Sequence, residues 1–307
     1  MIQEDWILGT DNTEIYLKKW YDPNQQPRAI IQLAHGMVEH INRYDEFAEQ
    51  LVEMGFYVYG NDHRGHGKTG ERQGLLGYFS ESEGFYKTTE DLVMVTKEIK
   101  VTHPSVPIIL FGHSMGSFLV RYYIQEHSHE IHAAILSGTG YFPSLQTYAG
   151  KLLANLLPAK EPSELMNWLA FGRYNKNVKN KQTKVDWLTR NETAVQDYER
   201  DPLAGFTPTA RFFYDLMSGL IAIQNLKGHQ SIRKDLPILL ISGKEDPVGQ
   251  FGKGVWKTAH LFNQSGLEQV TTMLFEDGRH ELLFELNKDE VYEAIERWIT
   301  DSLSTKF

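Results

Sequence analysis

The chain of 307 residues contains no cysteine, which excludes a disulfide framework, a thiolate nucleophile and a zinc site built on sulfur. Proline is sparse, with 11 residues, and no stretch approaches the roughly 18 consecutive apolar residues that a membrane-spanning helix requires. Positive charge is in deficit. Against 40 Asp and Glu stand 31 Lys and Arg, a formal net charge of -9, which opposes attraction to phosphate backbones, so no nucleic-acid partner is expected. Acidic residues also occupy the start, Met1-Ile2-Gln3-Glu4-Asp5, where a secretory leader carries positive charge before an apolar run; a cytoplasmic location is expected. What is present is the composition of a packed globular protein, 41% hydrophobic and 23% charged. At about 150 residues per domain, the length admits one large α/β domain or two ordinary ones.

Residues 6–21 read as an opening hairpin, with Ile15, Leu17 and Trp20 in a β-favouring run after the turn residues Gly9-Thr10-Asp11-Asn12. From Arg28 onward, short continuous apolar runs alternate with amphipathic stretches, the pattern of buried parallel strands joined by crossover helices. The strands predicted are 29–33, 56–60, 106–111, 133–136, 237–241 and 272–275. Tyr44, Phe47, Leu51 and Met54 recur at helical spacing up to Gly55, a residue suited to the left-handed helix end. Val291, Ile295, Trp298 and Ile299 mark a last amphipathic helix. Residues 141–230 break the alternation, because they hold apolar residues such as Leu152, Leu156, Trp168, Phe212 and Leu216 but no convincing strand. This segment reads as a helical insertion between two parts of an α/β core, 1–140 and 231–307. Within it, Arg173, Lys176, Lys179, Lys181 and Lys184 describe a solvated basic loop, a candidate for transient contact with charged head groups.

The strongest chemical signal is Gly112-His113-Ser114-Met115-Gly116, placed between the strand 106–111 and a helical run. In that context the small residues permit a strained turn that lifts the Ser114 hydroxyl above the sheet, over the N-terminus of the helix that follows. A serine hydroxyl needs a base to take its proton and an acid to orient that base. His280 fits the base, after the last strand. Asp246 fits the acid on the loop after 237–241, with Glu245 as a rival carboxylate. The backbone N–H of Met115 is one expected oxyanion donor, and that of Met37, after the first parallel strand, is the other. The remaining histidines carry no ligand spacing, so no metal site and no cofactor are expected.

The chain resembles the α/β-hydrolase superfamily, and within it the monoacylglycerol lipase and lysophospholipase-like serine hydrolases. His35-Gly36-Met37-Val38-Glu39-His40-Ile41-Asn42-Arg43-Tyr44 is similar to that family's H-G-x-x-E-H-x-x-R-Y segment, and Asp62-His63-Arg64-Gly65-His66-Gly67 to its D-x-R-G-H-G loop. The likeness extends over residues 10–302. It implies an α/β-hydrolase fold with a mostly parallel sheet, the triad Ser114, Asp246 and His280, and a preference for Asp246 over Glu245. It further implies that 141–230 forms a cap, or lid, which receives an acyl chain and meets a membrane surface, and that Glu39 and Arg43 are a structural ion pair. The expected substrate is a small-molecule ester of a single acyl chain, monoacylglycerol or lysophospholipid, cleaved through an acyl-enzyme. The Lys-rich stretch 175–184 departs from the family and leaves the head group open; no oligomeric state is implied. Alternatives are a carboxylesterase for short-chain esters and an aminopeptidase of the proline-iminopeptidase kind. The latter is disfavoured because the 35–38 segment lacks an H-G-G-P-G loop. A non-enzymatic ligand receptor is opposed by the complete triad.

Overall fold

The structure, a computed structural model, describes residues 1–304. Eight strands form one sheet in the order β1-β2-β4-β3-β5-β6-β7-β8. β1 (Ile2–Leu8) and β2 (Glu14–Trp20) make an antiparallel hairpin, and β2 pairs antiparallel with β4 (Tyr57–Asn61). Every other pairing is parallel, through β3 (Ile30–Ala34), β5 (Ile108–His113), β6 (Ala133–Ser137), β7 (Ile238–Gly243) and β8 (Val270–Phe275). The central strands are buried throughout and mostly apolar because both faces are covered. In β3, β5, β6 and β7, Ile30, Ile108, Leu110, Leu136 and Leu240 enter one buried cluster, while Ile31, Leu33, Ile109, Phe111, Ile135 and Leu239 enter the other.

The first cluster is closed by α3 (Gly84–Thr102), α4 (Met115–His127) and α10 (Lys253–Gln264), the second by α1 (Asp45–Glu53) and α11 (Lys288–Ser304); between α1 and α3 lies the short α2 (Gly67–Gln73). α1 stops where Gly55 takes φ +87, a conformation that a residue without Cβ adopts at little cost. Between β6 and β7 the described chain is helical: α5 (Ser144–Asn155), α6 (Glu164–Phe171), α7 (Glu192–Arg200), α8 (Ala210–Ala222) and α9 (Leu226–Gln230). Side chains cap α6, α7 and α8: Ser163 accepts from the N–H of Met166, Asn191 from those of Thr193 and Ala194, and Thr209 from that of Phe212. α8 packs Phe212 and Phe213 into the first cluster, joining the inserted helices to the sheet.

The predicted strands lie within two residues of those observed. The hairpin begins four residues earlier than expected, at Ile2, because Gln3, Glu4 and Asp5 belong to an exposed edge strand whose polar face hides its pattern. The long helix α3 was not predicted; its core side carries Thr88, Thr89, Asp91 and Thr96 among the apolar residues, which blurs the period. Among the described residues no helix is long and apolar enough to cross a membrane.

Candidate active site

All six parallel strands deliver their C-terminal ends to one edge, so the loops after β3, β5, β7 and β8 converge there. Ser114 sits at the tight turn between β5 and α4 with φ 50 and ψ -117, a strained conformation for a non-glycine residue. Neighbouring glycines are required by space. A Cβ on Gly112 would lie 2.5 Å from the Gly116 carbonyl oxygen, and one on Gly116 2.0 Å from that of Ala34. The Ser114 N–H donates to the Ser137 carbonyl at 2.8 Å, fixing the turn against β6.

The His280 Nε2 lies 2.8 Å from Ser114 Oγ, and its Nδ1 lies 3.0 Å from Asp246 Oδ1. Asp246 is fully buried. It is oriented by the N–H of Val248, which donates to Oδ1 at 2.8 Å, and by the Ser242 hydroxyl, which donates to Oδ2 at 3.1 Å. Glu245 points to solvent and takes no part. Burial works to lower the His280 pKa, but the charge and hydrogen bond of Asp246, helped by Glu281 and Glu39, carry it above its ordinary 6.5. His113, whose ring lies 4.8 Å from that of His280, is held well below 6.5 by burial and so stays neutral. Among the described residues, the N–H groups of Met37 and Met115 are not used in turn, loop or cap hydrogen bonds, and both residues flank Ser114.

A family model described as Hydrolase_4, serine aminopeptidase S33, matches residues 25–287. The chain belongs to that family. Its fold is the α/β-hydrolase fold. The chain is 27% identical over 304 residues to a monoglyceride lipase homolog of monkeypox virus, covering 95% of this chain and 96% of that one. It is 26% identical over 302 residues to a monoacylglycerol lipase of Mycolicibacterium smegmatis, covering 98% of each. Among solved structures, a thermostable carboxyl esterase from Bacillus coagulans in complex with glycerol superposes with a TM-score of 0.90 at 30% identity, covering 98% of each chain.

A cavity of about 1040 Å³ opens at Ser114 in this member of the family. Its lining combines the polar Glu39, His280 and Glu281 with Trp168, Phe171, Trp187 and Leu188 from the insertion. The expected Glu39–Arg43 pair is present and has a third member that sequence reasoning missed. Arg43 donates to Glu39 Oε2 at 2.5 Å and, through both terminal nitrogens, to the two oxygens of Glu281 at 2.7 and 2.8 Å. Glu39 Oε1 also accepts from the Tyr44 hydroxyl and the Gly36 N–H. Burial raises the Glu39 pKa, against the pull of Arg43. No local spacing links residues 43 and 281, so only the fold could reveal the pair.

The D-H-R-G-H-G loop after β4 is structural. Arg64 is buried between Asp91 and Asp11, with donor distances of 2.6 to 2.8 Å. Asp62, pushed up to about 6 by burial, accepts from the N–H groups of Ile41 and Lys68. His63 and His66 are held down to about 3 and about 4, in each case mainly by burial, and are neutral packing groups. Among the described residues no group of His, Asp and Glu has metal-binding geometry.

Proposed function

We propose that the protein is a serine hydrolase that cleaves carboxylic esters of a single acyl chain, monoacylglycerol foremost, through an acyl-enzyme. The observation that carries this reading is the unbroken hydrogen-bond line from Ser114 through His280 to Asp246. His280 Nε2 takes the Ser114 proton as Oγ attacks the ester carbonyl, while Asp246 holds the ring by Nδ1 and stabilises its positive charge. The N–H groups of Met37 and Met115 receive the oxyanion, each contributing about 3 kcal/mol to lowering the barrier. The tetrahedral intermediate collapses, His280 passes its proton to the departing alcohol, and water then attacks the acyl-enzyme by the same route. No step calls for a cofactor.

Residues 141–230 serve as the cap, with Phe171, Trp168 and Trp187 receiving the acyl chain. α5 presents Leu145, Tyr148 and Leu152 to solvent at helical spacing, continued by Leu156 at its C-terminal cap, and α6 presents Leu165, Trp168 and Leu169. Together with exposed Lys176 and Lys179, these residues form the surface that contacts a membrane. The second reading is peptide-bond cleavage next to a free amino terminus, as the description of the family model suggests. It requires a free carboxylate beside Ser114 to hold an ammonium group. Arg43 occupies both Glu281 oxygens and one of Glu39, whose other oxygen accepts two hydrogen bonds, so esters are favoured.

The experiment is turnover of purified protein on monoacylglycerols, lysophospholipids, graded esters and prolyl amides beside Ser114→Ala. The variant should lose at least three orders of magnitude in kcat with stability little changed. Retention of more than about a tenth of wild-type hydrolysis would remove Ser114 from the mechanism. Release of proline in preference to any ester would favour the second reading.

A further inference from the structure

We propose that residues 186–205 of the helical insertion form a fixed clamp that holds the oxyanion loop and the histidine turn in register, with Tyr198 as its positioning residue. This rests on the serine-hydrolase reading above.

The oxyanion loop is strained. Val38 has φ 52, and for a β-branched side chain the left-handed region is an outlier that persists only when the surroundings enforce it. Here they do. The Val38 carbonyl accepts from the Gly205 N–H at 2.9 Å and from the Tyr198 hydroxyl at 3.2 Å, and two residues on His40 Nε2 meets Asp201 Oδ2 at 2.7 Å. On the near side, Gly36 donates its N–H to Glu39. Met37 lies between these anchors, so the direction of its N–H is set from both ends, and one end belongs to the insertion.

The same segment grips the base. The N–H of Glu281 donates to the Leu188 carbonyl at 2.7 Å and that of His280 to the Trp187 carbonyl at 3.4 Å. Arg279 donates to the carbonyls of Asp186 and Thr189 at 2.6 and 3.0 Å. The Trp187 ring lies 5.0 Å from that of His280. Arg43 closes the circuit: its guanidinium lies 4.8 Å from the Tyr198 ring centre while it binds Glu39 on the oxyanion side and Glu281 on the histidine side. By contrast, among the described residues no hydrogen bond from residues 144–184 reaches the loops that carry Ser114, Asp246 or His280. Within the insertion, 186–205 therefore frames the chemistry, with Trp187 also lining the acyl cavity, while 144–184 faces the acyl chain and the solvent.

The test uses the full-length protein with Tyr198→Phe, Asp201→Asn and the double variant, and with Lys227→Ala as a control at an exposed position of the insertion. Active sites are titrated with a fluorophosphonate. Values of kcat and KM are measured on a short soluble ester, and the Ki of a trifluoromethyl ketone reports the oxyanion site through its tetrahedral adduct. The double variant should lose roughly tenfold or more in kcat per titrated site with KM little changed. Its Ki should rise by the same factor as kcat/KM falls, because donors aimed at the oxyanion act on the tetrahedral state and not on the bound ester. A fall in kcat/KM with an unchanged Ki, or no variant departing from wild type beyond about twofold, would overturn the clamp while leaving the hydrolase reading intact. If the double variant fails to fold, Tyr198→Phe, which deletes one hydroxyl, is held to the same proportionality between Ki and kcat/KM. A wild-type protein that neither turns over an ester nor takes the label would overturn the reading and the clamp together.

Discussion

Gly116→Ala isolates a contact on which both the fold and the chemistry depend. Gly116 is the second residue of α4, and its φ is not positive. On helix propensity alone, alanine there should stabilise by about 1 kcal/mol. The surroundings reverse the sign. The added Cβ would lie 2.0 Å from the Ala34 carbonyl oxygen and 2.6 Å from both the Ala34 carbonyl carbon and the His35 oxygen. A carbon and a carbonyl oxygen rest at about 3.3 Å, so the first turn of α4 must retreat from the end of β3 by about 1.3 Å. All the obstructing atoms are backbone, which cannot rotate away. Overpacking of this size costs about 3 kcal/mol, leaving a net loss of about 2 kcal/mol after the propensity gain. The retreat also carries Ser114 and Met115 away from Met37 and His280, and a displacement near 1 Å lowers kcat about a hundredfold. Urea midpoints followed by tryptophan fluorescence, together with ester turnover per titrated site, measure both effects. Gly74→Ala is the control. Its Cβ would meet nothing within 4 Å but its φ is +75, so it should cost about 1 kcal/mol of backbone strain and leave turnover unchanged. A Gly116→Ala protein as stable as its parent, with activity within about threefold, would refute the packing of the elbow helix on β3.

Because the net effect of its neighbours raises the His280 pKa, the acid limb of the rate profile should lie above pH 6.5, the base being active only when neutral. Glu281→Gln removes one of the charges that raise it and should move that limb to lower pH in kcat/KM profiles; an unmoved limb would show that Glu281 does not act on the base. His66, held down to about 4 mainly by burial, binds a proton less readily folded than unfolded, so its contribution is intact above pH 6.5 and declines as pH falls toward 4. His66→Asn should lose about 2 kcal/mol less stability than its parent between pH 7 and pH 5 in urea titrations, and parallel declines would refute the assignment. Asp62 and Asp91, pushed up to about 6 mainly by burial, act in the opposite sense, so the comparison with the parent is the informative measurement. Leu145→Glu with Leu152→Glu should reduce vesicle co-sedimentation and hydrolysis of vesicle-held monoacylglycerol severalfold while leaving a soluble ester untouched. Equal loss on both substrates would place the damage inside the cap and not at a membrane surface.

The parts of this protein that could be read along the chain are those in which physics acts locally. β3, β5, β6 and β7 announce themselves because burial on both faces gives each a run of consecutive apolar residues, interrupted in β3 by the buried Gln32. The elbow is equally legible, since close backbone approach on both sides of Ser114 admits only glycine at 112 and 116, and that demand is written into five consecutive residues. Met37 and Met115 are proposed as oxyanion donors for a related reason: a backbone N–H needs only the right place after a strand, not a special side chain. The clamp has no such trace. Val38 looks like an ordinary apolar residue until its φ is known, and the groups that hold it, Tyr198 and Gly205, lie more than a hundred and fifty residues away. Arg43 spans 238 positions to reach Glu281. Glu39 already offers Arg43 a local partner, and Asp45 and Glu46 follow it closely, so nothing along the chain called for an acid at position 281. The residues proposed as nucleophile, base and acid are thus set by short-range rules, while the alignment proposed for them is set by contacts that exist only once the insertion has docked. On this view a substitution in 186–205 can lower turnover without touching any residue of the triad.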